Sequence, residues 1–266
     1  TSNLNPKSDA FAIFVTEKYA YKNKNNILSN RVVLKINSFL KVLKVKNKEE
    51  EISSFDIADQ QKCFIIKVKN KYENYYPEEI GGMFFSQLKK LKIINTIDLY
   101  SDSLNQDKEK LAKFFSEFIF GFNLKSYTFN KYKTLNKEKI NKKINFSIIT
   151  SHKQKIESNY KYYDAIKEGV FLTRDLVSEP PNVLSPKTYV KEIKKLSKLG
   201  LKIKAYDEKE MKKLGLNALL GVGQGSINKS YLVTIEWNGK TKLKQNPLAF
   251  VGKGVCFDTG GISLKP

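Results

Sequence analysis

Short strand-like and helix-like segments alternate along the first 150 or so residues, and this order restricts the fold more than any other feature. Four segments are predicted strands because each is short, β-branched or aromatic, and bounded by polar residues: Ala10–Val15, Lys62–Val68, Thr96–Leu99 and Asn145–Thr150. Between them, Gly82–Leu91 and Leu111–Phe120 place apolar residues at helical spacing. Strands that alternate with helices predict an α/β domain with a parallel or mixed sheet.

A longer helical pattern runs from about Ser158 to Val177 and stops before Pro180-Pro181. Proline removes a backbone donor and restricts the residue before it, so a helix ends there. The length of 266 residues fits two domains. We therefore expect an N-terminal α/β domain over residues 1–155, a linking helix over 156–179, and the first part of a second domain over 180–266.

The second domain is also predicted to be α/β. Ser185-Pro186 is typical of a helix start, and Gly200 of the end of that helix. Leu201–Tyr206 and Tyr231–Trp237 are predicted strands. Pro247–Val251 is wholly apolar, which predicts a central strand buried on both faces.

The composition is that of a globular chain, with 41% hydrophobic and 28% charged residues. No apolar run is long enough to span a bilayer, and the first residues lack the pattern of a secretory signal. The two cysteines, Cys63 and Cys256, lie far apart and do not suggest a disulfide framework. A reducing, cytoplasmic location is the expectation.

The formal net charge of +21 raises the alternative of a nucleic-acid-binding basic module. The lysines, however, are spread along the whole chain rather than gathered in one compact cluster. Lysine also far outnumbers arginine, whose forked side chain is the usual reader of bases. We interpret the charge as surface composition, expect no membrane partner, and keep nucleic-acid binding as an alternative.

The segment Val251–Pro266 carries the chemistry. An apolar run leads directly into Gly252-Lys253-Gly254, where glycines let the backbone turn and leave space for a ligand. Asp258 and Lys265 follow within the same stretch. Ligands of α/β sheets collect at strand ends of this kind, so the segment predicts a functional site.

Val251–Pro266 resembles the first signature of the leucyl aminopeptidase family of dinuclear metallopeptidases, with Cys256 where threonine is usual. Upstream, Thr173–Val177 and Pro180–Pro186 are similar to the family's Arg-Asp-Leu-Val run and its proline-rich continuation. Gly215–Ser226 is similar to a third family run. The resemblance covers about Tyr160 to Pro266 and is weak over the first 150 residues.

The resemblance implies a role for three residues. Lys253 matches a lysine that coordinates one of two divalent metal ions, and Asp258 matches an aspartate that bridges both. Lys265 matches a catalytic lysine that polarises the substrate carbonyl. The implied cofactors are two divalent ions, Zn²⁺ or alternatively Mn²⁺, Mg²⁺ or Co²⁺. The implied reaction is release of leucine-like residues from the N-termini of peptides.

The family's remaining carboxylate ligands, and an arginine that binds bicarbonate, lie in segments that follow the Lys-Pro of the signature. We therefore expect this chain to hold part of a catalytic site and to be inactive as a peptidase alone. The resemblance also implies that the N-terminal domain serves assembly and that the complete protein is a homohexamer.

Two further patterns have alternative interpretations. Asp258-Thr259-Gly260 is also the core of the aspartic-protease motif, but such enzymes use two aspartates, and no second Asp-Thr-Gly or Asp-Ser-Gly occurs. The glycines of Gly221–Gly225 superficially resemble a dinucleotide loop. Their spacing departs from that motif, and we expect a backbone turn there.

Overall fold

The computed structural model describes residues 8–23, 27–45, 50–58, 61–91, 94–104, 106–135, 144–239 and 246–257. By their internal contacts the residues fall into two compact units, Thr1–Arg174 and Asp175–Pro266. The division lies inside one long helix. The predicted domain limits at 155 and 180 stay a proposal.

The first unit is built on a five-stranded sheet. Its strands are β1 (Ala10–Thr16), β2 (Ile52–Ala58), β3 (Gln61–Val68), β4 (Thr96–Tyr100) and β5 (Asn145–Ile149). Their order across the sheet is β2-β3-β1-β4-β5. Every neighbouring pair is parallel except β2 and β3, which are antiparallel. The fold is therefore α/β with a mostly parallel sheet, as the alternating pattern predicts.

Within the described ranges, four helices accompany this sheet: α1 (Asn30–Val45), α2 (Tyr76–Lys90), α3 (Lys108–Ser126) and the start of α4 (Lys153–Ser178). A short 3-10 turn, Ser101–Ser103, follows β4. Asp107 caps α3 by accepting hydrogen bonds from the backbone N–H groups of Glu109 and Lys110, both at 3.0 Å. These bonds lower the pKa of the Asp107 carboxyl.

The sheet has an apolar layer on each face because β1 alternates its side chains between them. Phe14 lies in the layer that contains α2 and α3, where its ring meets those of Phe115 and Phe118 edge-on. Phe11 and Ile13 lie in the opposite layer with α1. All three side chains are fully buried, as expected for a central strand covered on both faces.

The second unit begins within α4 and continues with α5 (Pro186–Lys195), β6 (Lys202–Tyr206), α6 (Glu208–Lys213), α7 (Asn217–Gly223) and β7 (Leu232–Glu236). Strands β6 and β7 form an antiparallel two-stranded sheet. Gly200 and Gly215 end their helices with positive φ angles of 84° and 72°, which glycine adopts without a steric penalty. No helix in the described ranges has the length and hydropathy to cross a bilayer.

The predicted strands of the first 150 residues are confirmed as β1, β3, β4 and β5. The predicted helices are confirmed as parts of α2, α3 and α4, each longer than its apolar pattern indicated. Two elements, α1 and β2, were not predicted. Strand β2 contains several polar residues, so its sequence lacks a clear apolar pattern. Such residues are tolerated because β2 is an edge strand and part of its side chains face away from the core.

The prediction of a buried strand at Pro247–Val251 is wrong for this structure. These residues form neither strand nor helix, and Leu248, Phe250 and Val251 are 82%, 89% and 99% exposed. A central strand needs hydrogen-bonded neighbours on both sides, and β6 and β7 pair with each other instead. The predicted turn at Gly221–Gly225 is also wrong in part, because α7 extends through Gly223.

Candidate metal centre

The run that joins α4 to α5 is held by a compact set of hydrogen bonds. The N–H groups of Val183 and Leu184 both donate to the carbonyl oxygen of Pro180 at 2.9 Å. The Thr188 hydroxyl donates to the carbonyl oxygen of Val183 at 2.7 Å. The turn after the prolines is therefore tied to the first turn of α5.

Ser185 caps α5, as its sequence position predicts. Its hydroxyl accepts from the Thr188 N–H, and the Thr188 hydroxyl accepts from the Ser185 N–H at 2.8 Å. This reciprocal pair is a capping box, and it satisfies two backbone donors at the helix start. The residue that follows this cap is Tyr189.

The ring of Tyr189 lies against the backbone of the glycine–lysine–glycine segment. A Cβ atom added to Gly254 would lie 2.9 Å from Cε1 of Tyr189, closer than such atoms approach. A side chain at position 254 would therefore have to displace the Tyr189 ring of α5. The sequence analysis interpreted Gly254 as leaving space for a ligand and did not predict this contact. In the sequence, Tyr189 is recognisable only as one residue of the apolar face of a helix.

Lys253 lies between Gly252 and Gly254 and is exposed. A Cβ atom on Gly252 would meet nothing within 4 Å, so the chain around the lysine is open on that side. Lys253 is the one predicted metal ligand that the described ranges include. Asp258 and Lys265 lie outside them, so the structure does not place these two residues relative to Lys253.

Cys256, where the resembled family usually has threonine, is half-buried and free. Burial raises the pKa of its thiol. The thiol is therefore protonated at neutral pH and resembles a threonine hydroxyl in being small, neutral and weakly polar.

In the part of the chain that the structure describes, no three His, Cys, Asp or Glu side chains come together as a metal cluster. The donors predicted from the sequence are an amine at Lys253 and a carboxylate at Asp258. Nitrogen and oxygen donors of this kind suit divalent ions such as Zn²⁺ and Mn²⁺, so the chemistry of the donor set fits the predicted metals.

Comparison with known proteins assigns the family. The catalytic domain of the cytosol aminopeptidase family matches residues 171–266. A probable cytosol aminopeptidase of Agrobacterium fabrum is 48% identical over 189 residues, which cover 70% of this chain and 37% of the relative. One from Wolbachia pipientis is 37% identical over 221 residues, covering 81% and 42%. The chain belongs to the cytosol aminopeptidase family.

Solved structures share the fold. A mutant of tomato leucine aminopeptidase superposes with a TM-score of 0.75 at 21% identity, over 95% of this chain and 52% of the other. The bottromycin maturation enzyme BotP in complex with Mn gives 0.61 at 16% identity, over 87% of this chain and 45% of BotP. The chain thus spans about two fifths of the length of the curated relatives described above and about half of these structures.

Proposed function

We propose that this chain contributes to a metal-dependent aminopeptidase that releases leucine-like residues from the N-termini of peptides. The supporting observation is the family match over residues 171–266, which includes Lys253, Asp258 and Lys265 in one segment. The names of the relatives support peptides as the substrates. The proposed active site is only partly contained in this chain.

Each of the three residues has a role that its chemistry allows. Lys253 would hold a metal ion through the lone pair of its side-chain nitrogen. The Asp258 carboxylate has two oxygens and would help to hold both ions. Lys265 would stabilise the negative charge that develops on the substrate carbonyl oxygen in the transition state. When bound, two divalent ions supply an activated water and polarise the peptide carbonyl.

The metals proposed are Zn²⁺ or Mn²⁺, with Mg²⁺ and Co²⁺ as alternatives. The Mn complex of BotP supports a manganese-compatible site in a protein of the same fold. Metal analysis of protein purified without added ions, followed by reconstitution with each ion separately, distinguishes these choices.

A chimera tests the activity. Residues 1–266 are joined to the part of the Agrobacterium fabrum relative that follows its matched segment. We expect the chimera to hydrolyse leucine anilides, to lose activity on chelation and to regain it with Zn²⁺ or Mn²⁺. The 266-residue chain alone should show no measurable hydrolysis. Activity that resists chelation would contradict the proposal.

Variants of the chimera separate the roles. Asp258→Ala and Lys253→Ala should lower both metal content and activity. Lys265→Ala should keep the metal content and lower kcat by roughly 10²- to 10³-fold, as for loss of a group that stabilises a developing oxyanion. Lys229→Ala, an exposed lysine outside the segment, and Cys256→Thr serve as matched controls and should retain activity. Full activity of Asp258→Ala would contradict the assigned site.

The proposal extends to assembly and location. We propose a homohexamer in which the first unit contributes to assembly, and a cytoplasmic location that the names of the relatives support. Analytical ultracentrifugation of the active chimera should give six times the protomer mass. A monomer with full activity would contradict the assembly proposal.

A further inference from the structure

An open groove of about 960 Å³ lies on the first unit, far in sequence from the glycine–lysine–glycine segment. One wall is a face of α2 on which residues follow helical spacing: Glu79, Gly82, Met83, Ser86, Gln87 and Lys90. The end of α3 and Arg174 form another wall. We call it the α2–α3 groove.

Two glycines, Gly82 and Gly121, line the groove where α2 and α3 approach each other. Met83 and Leu124 add apolar surface, and Met83 is 49% exposed. Methionine adapts its shape to an irregular ligand, so this apolar patch suits a small aliphatic side chain.

The charges of the groove are separated by position. Acidic residues gather at the first turn of α2, where Glu78 and Glu79 lie. Glu51 lies at the same end of the groove. Its carboxylate is 3.1 Å from the Lys69 Nζ, and that Nζ lies over the ring of Tyr76, the first residue of α2. Basic residues gather beyond Gly82.

Of these basic residues, Lys125 lies beside Gly82. A Cβ atom on Gly82 would lie 3.7 Å from the Cβ of Lys125. Lys90 lies at the far end of α2, 11 residues after Glu79, which corresponds to about 16 Å of helix. Arg174 is held beside them, since its guanidinium donates to the carbonyl oxygen of Leu124 at 2.6 Å and lies over the ring of Tyr127.

The charges on the two sides do not neutralise each other. Four of the charged side chains lack an ion-pair partner anywhere in the described ranges: Glu78, Glu79, Lys90 and Lys125. Glu78 faces a second carboxylate, Glu117. Burial first, and then the charge of Glu117, raise the pKa of the Glu78 carboxyl. A cation placed beside Glu78 would relieve that repulsion.

We propose that the α2–α3 groove binds a short peptide with free amino and carboxyl termini. The amine lies between Glu78 and Glu79, an aliphatic side chain contacts Met83, and the carboxylate meets Lys125. A groove of this volume is of the size that encloses small ligands. The inference rests on the proposed function in one respect, that peptides and amino acids are the molecules this protein handles. The groove is then a second peptide site, outside the catalytic segment.

A titration of the ¹⁵N-labelled 266-residue chain with leucyl-leucine tests the proposal, followed by two-dimensional NMR. We expect saturable shifts of the Gly82, Met83 and Lys125 amides. The N-acetylated dipeptide should bind roughly tenfold more weakly, because it lacks the charged amine. The dipeptide amide should also bind roughly tenfold more weakly, because it lacks the charged carboxylate.

Variants assign each terminus. Glu79→Gln should lower the affinity for the free dipeptide roughly tenfold and leave the affinity for the N-acetylated dipeptide unchanged. Comparing both proteins with both ligands, as in a double-mutant cycle, isolates the interaction between Glu79 and the amine. Lys125→Gln should behave in the same way toward the dipeptide amide. Glu73→Gln, an exposed glutamate outside α2, is the matched control and should bind as the parent does. Equal affinities for the free and N-acetylated dipeptides would overturn the proposal.

The site of binding is tested separately from the catalytic proposal. Asp258→Ala should leave the affinity of the groove unchanged, since the groove shares no residue with the catalytic segment. Shifts confined to residues 251–257 and abolished by Asp258→Ala would overturn the groove as the site. A chimera without peptidase activity would contradict the proposed function while leaving the measured binding intact.

Discussion

Ser185 and Thr188 exchange hydrogen bonds at the start of α5, next to Tyr189, whose ring lies against Gly254. Ser185→Ala removes one acceptor for the first-turn donors. We expect a loss of about 1 kcal/mol in local stability, seen as roughly fivefold faster hydrogen exchange of the Thr188 and Tyr189 amides.

Ser185→Thr preserves the hydroxyl acceptor and serves as the matched control, so its exchange rates should stay near those of the parent. Faster exchange in both variants to the same extent would show that the cap does not order this turn.

Glu78 is the carboxyl whose titration most directly tests the electrostatics of the first unit. Its pKa is raised from the ordinary value of 4.5 by burial and then by Glu117. Because the folded state holds this proton more tightly than the unfolded chain, stability from Glu78 is present below the unfolded pKa and is lost as the pH rises through the folded pKa.

Glu78→Gln should therefore stabilise the fold by about 0.5 kcal/mol near neutral pH, a value limited by the partial exposure of the group. The gain should fade as the pH falls through the folded pKa and be absent below the ordinary pKa of 4.5. Urea unfolding of parent and variant at about pH 7 and about pH 4 measures the difference. Glu73→Gln is the control, and a gain that grows toward acid would contradict the assignment.

Helices α2 and α3 cross closely because two glycines meet at the crossing. A Cβ atom on Gly121 would overlap the backbone carbonyl of Glu78, and one on Gly81 would overlap that of Phe118. Backbone atoms cannot rotate aside, so the helices would have to separate. Gly121→Ala should destabilise the first unit by about 1–3 kcal/mol, measured by urea unfolding followed by far-UV circular dichroism.

Gly82 provides a matched control on the same helix pair. A Cβ atom there would lie 3.6 Å from the Gly121 carbonyl oxygen, an ordinary contact. Gly82→Ala should be neutral or stabilising by up to about 1 kcal/mol, because alanine favours a helix. Equal effects of the two substitutions would mean that the crossing is looser than described.

The elements that could be predicted from the sequence share one physical property. Strands β1 and β3 bury most of their side chains, and helices α2 and α3 each bury an apolar face, so apolar periodicity marks all four elements. Strand β2 lies at the sheet edge, and its Ile-Ser-Ser-Phe-Asp sequence carries little periodic signal. For residues 247–251 the error is the reverse: the apolar run predicts a strand, and the structure has none there. An apolar run indicates that burial is favourable, but a buried strand also needs neighbouring strands to pair with.

At the scale of the whole molecule, the sequence predicts the residues of the candidate site from a motif, but it does not predict which other residues pack around them. Lys253, Asp258 and Lys265 are identified because they lie in one segment similar to a known signature. The contact between Tyr189 and Gly254 joins residues 65 positions apart, and the α2–α3 groove combines β2, α2, α3 and α4. Contacts of that separation depend on how the elements pack, which periodicity and spacing do not encode.

The net charge of +21 is also a property of the whole molecule, and it predicts weak binding to nucleic acid that salt abolishes. The chain has two arginines, Arg31 and Arg174, and Arg174 is engaged by the Leu124 carbonyl and the Tyr127 ring. The remaining cations are lysines distributed over both units, which favour contact with phosphates over the reading of bases.

Fluorescence anisotropy with a short duplex DNA, at about 50 mM and about 200 mM salt, measures this directly. A protein that makes roughly 6–10 phosphate contacts loses about 10³- to 10⁵-fold in affinity over that interval. We expect any binding at low salt to become undetectable near physiological ionic strength, and duplexes of unrelated sequence to behave alike. Tight binding that persists at physiological salt, or that prefers one sequence, would instead assign the basic surface a nucleic-acid role beside the proposed peptidase function.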